Sequence, residues 1–125
     1  MQLKVDVKER GKGVYIVMPE GHLDSNTYLM LEEKLNPLFA ASTKVLIFDL
    51  SRLDYISSAG LRVVFKAKKA LKEINGSFMM ANLKPQIKKV FDIINALPDI
   101  RVFKSLEEMD AYLDAMQRQE IEKQQ

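Results

Sequence analysis

The chain lacks the residues that most enzyme and metal sites require. It contains no cysteine, no tryptophan and a single histidine, His22, among 125 residues. The absence of cysteine excludes disulfides, thiolate zinc sites, iron–sulfur clusters and a cysteine nucleophile. No G-x-S-x-G elbow, P-loop or G-x-G-x-x-G motif is present. We therefore expect a protein that is not an enzyme, with no catalytic residues, no metal and no cofactor.

Long apolar runs and a strong excess of one charge are also missing. No run approaches the ~20 apolar residues of a membrane-spanning helix. The opening MQLKVDVKER alternates apolar and charged residues, unlike a secretory signal. The net charge is +2, from 19 basic and 17 acidic side chains, whereas nucleic-acid binders usually carry a larger basic excess. These features predict a cytoplasmic protein with neither membrane nor nucleic-acid partners.

The apolar pattern predicts one α/β domain over residues 1–116, followed by a polar tail or helix extension over 117–125. Alternation over residues 3–7 and a second apolar run over 14–18 indicate an opening hairpin. Strands and helices then alternate, which is typical of a mostly parallel sheet. The expected order is β-β-α-β-α-β-α-β-α, with a mixed sheet of about five strands and about four helices.

Several local features refine this prediction. Pro37 is expected to end or kink the first helix. Residues 53–59 are expected to form a loop, with the second helix beginning at Ser58 or Ala59. The last short strand is expected at 100–103. The side chains expected to be largely buried are Ile47, Phe48, Leu61, Phe65, Val90 and Phe91.

The segment DLSRLDYISSAGL leaves a central strand and enters a helix. In open α/β sheets, the loops that carry functional residues lie at the carboxyl ends of the strands. Ser57 and Ser58 lie where the helix begins, where a hydroxyl can cap free backbone amides. The alternative is phosphorylation of one of them at an exposed site, since a helix N-terminus favours an anion. Physics alone leaves both interpretations open.

The same residues resemble the STAS domains of bacterial anti-sigma factor antagonists. DLSRLDYISSAGLR resembles the family signature D-L-x-x-L-x-x-[ILM]-D-S-[ST/A]-G-L, and GHLD resembles the G-x-L-D motif after the second strand. KPQIKKVF resembles the family's x-P-x-V-x-x-[VL]-F helix. Together these motifs span nearly the whole chain, and the order of elements agrees.

The resemblance implies a partner-switching cycle. The unphosphorylated antagonist would bind an anti-sigma factor that is also a GHKL-type serine kinase, thereby releasing the sigma factor. Phosphorylation would end binding, and a PP2C-type phosphatase would restore it. The family's phosphorylated serine falls on Ser58. The family's preceding aspartate falls on Ser57, which makes Ser57 the alternative acceptor.

The candidate site follows from the motifs and from the charge of the second helix. Five basic residues lie on that helix, and a solvated face is the first interpretation of such a run. Two of them, Arg62 and Lys66, lie near the helix start and could meet an acidic partner. The residues expected to bind the partner are Asp24, Ser57, Ser58, Ala59, Gly60, Arg62 and Lys66.

Two other functions remain open. The chain could be a STAS scaffold that is never phosphorylated, within a signalling or lipid-transport assembly, and the serine at position 57 favours this reading. It could also be a nucleotide-binding module, since STAS domains with that property are known, although no glycine-rich phosphate loop supports it. A monomer or a weak dimer is expected.

Overall fold

The computed structural model describes residues 2–40, 42–96 and 106–124. The strands are β1 (Leu3–Gly11), β2 (Val14–Leu23), β3 (Val45–Asp49), β4 (Leu53–Ile56) and β5 (Ser77–Ala81). The helices are α1 (Tyr28–Ala40), α2 (Ser58–Glu73), α3 (Pro85–Ala96) and α4 (Leu106–Lys123).

The five strands form one mixed sheet in the order β1-β2-β3-β5, with β4 also paired to β2. β1 and β2 form the predicted antiparallel hairpin, and the remaining pairings are parallel. Besides β1, β2 pairs with two further strands: its first residues pair with β3 and its last residues pair with β4. The prediction of an α/β fold with a mixed sheet of about five strands and about four helices is confirmed among the described residues. The order of elements differs from the predicted one, because a fourth strand precedes α2.

The loop predicted over 53–59 is wrong, because Leu53–Ile56 is the strand β4. Its pairing partners lie far away in sequence, at Gly21–Leu23 of β2, and a long-range pairing leaves little local trace in a short segment with polar residues. The strand predicted at 100–103 lies outside the described residues.

Pro37 does not end the first helix, which was one of the two effects predicted for it. α1 continues through Pro37 to Ala40. A proline removes only its own N–H donor, and less than one turn of helix follows it here. The Thr43 hydroxyl then donates to the carbonyl of Leu38 at 2.7 Å, which satisfies one of the free carbonyls at the helix end.

The core lies between the sheet and the helices. Four of the six side chains predicted to be buried are buried: Phe48, Leu61, Val90 and Phe91. Ile47 is only half-buried, because β3 alternates between covered and less covered positions. Phe65 is 39% exposed, so its prediction is wrong. Its ring lies at the rim of the helix layer, edge-on to Phe91 with centroids 6.4 Å apart.

The predicted end of the second helix is confirmed. Asn75 adopts a left-handed conformation with φ of 58°, and the amide of Gly76 donates to the carbonyl of Leu71 at 2.7 Å. A Cβ atom on Gly76 would meet Leu71 Cδ1 at 2.5 Å and the Thr43 carbonyl oxygen at 3.2 Å, so a larger residue here would force the Leu71 side chain to shift.

α4 extends further than the apolar pattern indicated. The polar segment expected as a tail or helix extension continues α4 to Lys123. Gln117 within it is fully buried. None of the helices in the described ranges is long and apolar enough to cross a bilayer.

Candidate functional site

The candidate site lies where β2 and β4 end and α2 begins. Leu23 pairs with Ile56 in the parallel ladder, and the Ser57 amide donates to the Leu23 carbonyl at 2.9 Å. Gly60, in the first turn of α2, presses against both strand ends. A Cβ atom on it would meet the Leu23 carbonyl oxygen at 2.8 Å and Ile56 Cγ1 at 2.9 Å. Glycine therefore allows the helix to begin directly on the sheet.

Ser58 is the first residue of α2, as the sequence predicted. Its predicted exposure is wrong, since it is only 2% exposed. The adjoining Ala59 and Gly60 are buried as well. α4 packs against the start of α2 and contributes to this burial.

Ser57 occupies the N-cap position of α2, with an extended backbone at φ −98° and ψ 179°. Its side chain makes no capping hydrogen bond. The residue is 8% exposed, and its hydroxyl has no hydrogen-bond partner among the described residues. The expectation that this hydroxyl caps the helix is therefore wrong for Ser57.

Asp110 of α4 provides the cap instead. The Ser58 amide donates to Asp110 Oδ1 at 2.7 Å. A carboxylate beside the free amides of a helix N-terminus is stabilised by the hydrogen bond and by the helix dipole. The anion-binding position predicted for a phosphate is thus occupied by a side chain of the same protein.

Gln117, two helical turns beyond Asp110, reaches the last residue of β4. Its Oε1 accepts from the Ile56 amide at 2.9 Å, and its Nε2 donates to the Ile56 carbonyl at 2.9 Å. The amide thereby satisfies both backbone groups of a strand residue, as a neighbouring strand would. Leu113 lies between these two contacts on α4 and is 1% exposed.

Tyr55 lies next to these contacts. Its ring stacks on His22 with centroids 5.3 Å apart, and its hydroxyl hydrogen-bonds to Asp114 of α4. Burial raises the pKa of the Tyr55 phenol, and the hydrogen bond to Asp114 and the negative charges of Asp114 and Asp110 raise it further. His22 lies within β2 and not in the loop that follows.

Asp24 begins the turn between β2 and α1. Its Oδ1 accepts from the Asn26 amide at 2.9 Å, and its own amide donates to the Thr27 hydroxyl at 3.0 Å. The Thr27 hydroxyl donates to the His22 carbonyl at 2.7 Å. Asp24 thus shapes the turn that leads to α1. It directly follows Leu23, whose carbonyl accepts from the Ser57 amide.

Arg62 and Lys66 are exposed on α2, as expected. They line a groove of about 220 Å³ between α1 and α2, together with Tyr28 and Glu32. Lys66 Nζ lies 3.2 Å from Glu32 Oε2. The structure therefore places the expected basic residues beside the start of α2, on the face bordered by α1.

Asp49, at the end of β3, joins this strand to β5. Its Oδ1 accepts from the Ser51 amide at 3.1 Å and from Asn82 Nδ2 at 3.3 Å. Burial alone would raise the pKa of Asp49, but the hydrogen bonds from Ser51 and Asn82 and the charge of Arg52 lower it. This carboxylate has a structural role.

No cluster of three or more potential metal ligands occurs among the described residues.

Sequence reasoning did not find three of the residues that shape the site: Tyr55, Asp110 and Gln117. Asp110, Leu113 and Gln117 follow a spacing of three and four residues, so they share one helix face. That spacing was available in the sequence. However, the sequence around Gln117 is polar and does not indicate that this residue is buried. The neighbouring residues also do not indicate which surface α4 covers.

Comparison with known proteins identifies a family model over most of the chain. The model for the STAS domain matches residues 5–109. Among curated proteins, BtrV of Bordetella bronchiseptica, by its name a candidate anti-sigma factor antagonist, is 37% identical over 95 residues. The match covers 76% of this chain and 82% of BtrV.

Two solved structures share the fold. One is the anti-sigma factor antagonist SpoIIAA in its unphosphorylated form, with a TM-score of 0.67 and 19% identity over 76% of this chain and 84% of SpoIIAA. The other is Bacillus SpoIIAA in the phosphorylated form, with a TM-score of 0.64, 19% identity, and coverage of 76% of this chain and 86% of that one. At these identities the likeness concerns the fold.

Proposed function

The chain belongs to the STAS domain family, and from this premise we propose that it is an anti-sigma factor antagonist that works by partner switching. Unphosphorylated, it binds an anti-sigma factor that is also a GHKL-type serine kinase. Phosphorylation of Ser58 ends the interaction, and a PP2C-type phosphatase restores it. The protein itself performs no catalysis and uses no cofactor, and the cycle takes place in the cytoplasm. The name of the Bordetella relative and the match to SpoIIAA support this role.

The observation that carries the proposal is the position of Ser58 at the start of α2. Its backbone amide already holds a carboxylate at 2.7 Å. An added phosphate of about −1.5 to −2 charge can be stabilised at the same helix end. A phosphate there would also introduce strong negative charge on the surface that a partner contacts.

Arg62 and Lys66 extend this surface along the groove between α1 and α2. Two exposed cations suit a partner with acidic side chains, and they increase the rate at which such a partner finds the site. The remaining basic residues of α2 lie further along the helix and are treated as solvated. Asp24, Ala59 and Gly60 contribute backbone shape around Ser58.

The test is titration of the purified anti-sigma factor kinase with the parent protein, Ser58→Ala and Ser58→Asp. We expect Ser58→Ala to bind like the parent and to escape regulation, and Ser58→Asp to bind more weakly. Phosphosite mapping after incubation with the kinase and ATP should place the phosphate on Ser58. Ser57→Ala serves as the matched control and should still be phosphorylated on Ser58. A phosphate found on Ser57 of the parent protein would make Ser57 the acceptor instead.

A second candidate is a STAS scaffold that binds its partner without phosphorylation. The specific observation in its favour is the burial of both serines, with Ser57 8% and Ser58 2% exposed. If Ser58→Asp binds as tightly as the parent and the kinase labels neither serine, the scaffold function replaces the switch.

A further inference from the structure

α4 covers the position that the proposed switch requires to be accessible. The Ser58 amide is bonded to Asp110 Oδ1 at 2.7 Å, and Ser58 is 2% exposed. A kinase must bring the serine hydroxyl to the γ-phosphate of ATP. It cannot do so while α4 lies over the start of α2.

The contact is held by several polar bonds distributed along α4. Gln117 satisfies both backbone groups of Ile56, and it is completely buried. Its Nε2 also lies 3.2 Å from the carbonyl of Leu113 in its own helix. We call the helix face formed by Asp110, Leu113 and Gln117 the docking face of α4.

Two further contacts join α4 to α3. Lys89 Nζ lies 3.6 Å from Glu120 Oε1, and Gln124 Nε2 donates to Gln86 Oε1 at 2.9 Å. The Lys89–Glu120 ion pair is partly exposed and contributes little, whereas Gln86 is buried, at 4% exposed. The contacts that hold α4 thus include hydrogen bonds and charged groups beside the apolar packing of Leu113, and the charged ones respond to a change of charge at the site.

A phosphate on Ser58 is incompatible with the docked helix. It would place about two negative charges in the helix turn whose first amide is bonded to the Asp110 carboxylate. Asp114, hydrogen-bonded to Tyr55, adds a second carboxylate on the same helix. Like charges close together in a poorly solvated site disfavour each other strongly.

We propose that α4 is an intramolecular ligand of the Ser58 surface: its docking face competes with the kinase partner for unphosphorylated Ser58, and an anion on Ser58 expels it. This inference rests on the proposed function, since it concerns access to the same serine. The STAS family model ends at residue 109, so Asp110 and Gln117 lie beyond the part of the chain that it matches.

Thermodynamic reciprocity gives the proposal a test that needs no partner. If docked α4 and an anion on Ser58 exclude each other, then an anion placed there must displace α4. The chain has no cysteine, so two introduced cysteines can be labelled specifically. Glu122 on α4 and Lys8 on β1 are both exposed and suit paired spin labels.

The experiment measures the distance between the labels in full-length Glu122→Cys/Lys8→Cys protein, alone and with Ser58→Asp added. We expect one narrow distribution in the parent pair and a broad, longer one with Ser58→Asp. Ser77→Asp adds the same charge at an exposed serine of β5 and should leave the parent distribution unchanged. A narrow, unchanged distribution in Ser58→Asp overturns the proposal.

Amide hydrogen exchange gives a second readout in the same proteins without labels. In Asp110→Ala, exchange at Ile56 and Ser58 should accelerate about tenfold or more, the factor expected for losing one charge-assisted hydrogen bond. Leu46 and Phe48 in β3 should stay protected, which separates release of α4 from global unfolding. If Ser58→Asp fails to fold, Asp110→Ala decides the question. Unchanged exchange at Ile56 and Ser58 contradicts the proposal.

The kinase arm separates failure of the shield from failure of the switch. Asp110→Ala should be phosphorylated at Ser58 several-fold faster than the parent, whereas Glu122→Ala, which removes an exposed carboxylate from the same helix, should match the parent. If α4 is released in Asp110→Ala but Ser58 is phosphorylated no faster than in the parent, α4 does not protect Ser58, and the proposed switch still stands. If no variant is labelled, the proposed switch fails, and the label distances in Ser58→Asp alone confirm or overturn the displacement of α4.

Discussion

Gln117 pairs with Ile56 through both groups of its side-chain amide, with both hydrogen bonds at 2.9 Å. The contact joins residues 61 positions apart and lies entirely within the interior. Ile56 is the last residue of β4, and the amide takes the place that a further strand would occupy. This pairing makes α4 part of the folded domain and at the same time places Asp110 on Ser58.

The first prediction concerns the stability that this pairing contributes. Gln117→Ala leaves the amide and carbonyl of Ile56 without partners, and we expect it to lower the free energy of unfolding by about 2–4 kcal/mol. Urea denaturation followed by circular dichroism measures the change. Gln119→Ala, at an exposed position of the same helix, should stay within about 0.5 kcal/mol of the parent. Equal effects of the two substitutions would show that Gln117 is not held as described.

The second prediction concerns Gly60. Helix propensity alone would make Gly60→Ala stabilising by about 1 kcal/mol. A Cβ atom there meets the Leu23 carbonyl oxygen at 2.8 Å, so we expect instead a loss of about 1–3 kcal/mol from overpacking. The midpoint of urea denaturation decides between these signs. Lys68→Ala, on the exposed side of α2, is the control and should change stability by less than about 0.5 kcal/mol.

The third prediction concerns alkaline pH. The pKa of Tyr55 is raised in the folded state, so the neutral phenol stabilises the fold. This contribution is fully present below the unfolded pKa of 10.0 and is lost as the pH rises above it. We therefore expect the stability of the parent to fall more steeply above about pH 10 than that of Tyr55→Phe. Lysines also lose charge in this range, but equally in both proteins. Parallel curves up to about pH 11 would contradict the prediction.

Features of the structure that depend on neighbouring residues were predicted from the sequence, and features that depend on residues far apart in the chain were not. The start of α2 at Ser58 and its left-handed end at Asn75 are specified by neighbouring residues, and both were predicted correctly. β4 depends on pairing with Gly21–Leu23, and the burial of Ser58 depends on α4. Both involve contacts between distant segments, which no local pattern encodes.

The same distinction applies to the candidate site. The motif segment placed Ser57, Ser58 and Gly60 together, because they lie within four residues of one another in the chain. Arg62 and Lys66 followed from helical spacing. The roles of Asp110 and Gln117 could not be predicted. A polar residue on a helix gives the same sequence pattern whether its side chain faces solvent or bonds to the backbone of another segment.

The fourth prediction concerns the basic residues beside the proposed switch at Ser58. Arg62→Ala and Lys66→Ala should each slow association with the anti-sigma factor by about two- to tenfold at low salt, and the effect should shrink as salt increases. Stopped-flow mixing measures the rate. Lys69→Ala removes an exposed charge further along the same helix and should change it little. If all three variants slow association equally, the effect comes from net charge and not from this surface.

The fifth prediction compares two buried hydroxyls near the strand ends. An N-cap serine replaced by alanine usually costs about 1 kcal/mol, but the Ser57 hydroxyl is buried and has no hydrogen-bond partner in the described part of the chain. Its removal eliminates an unsatisfied polar group, so Ser57→Ala should be neutral or stabilise the protein by up to about 1 kcal/mol.

Thr27 provides the matched comparison, because it is also buried but accepts from the Asp24 amide and donates to the His22 carbonyl. Thr27→Ala leaves both groups unpaired and should cost about 1–3 kcal/mol. Thermal and urea unfolding of the two variants against the parent measure the difference. A loss of stability in Ser57→Ala as large as that in Thr27→Ala would show that the Ser57 hydroxyl does cap α2, and Asp110 would then not be the sole side chain that satisfies the start of this helix.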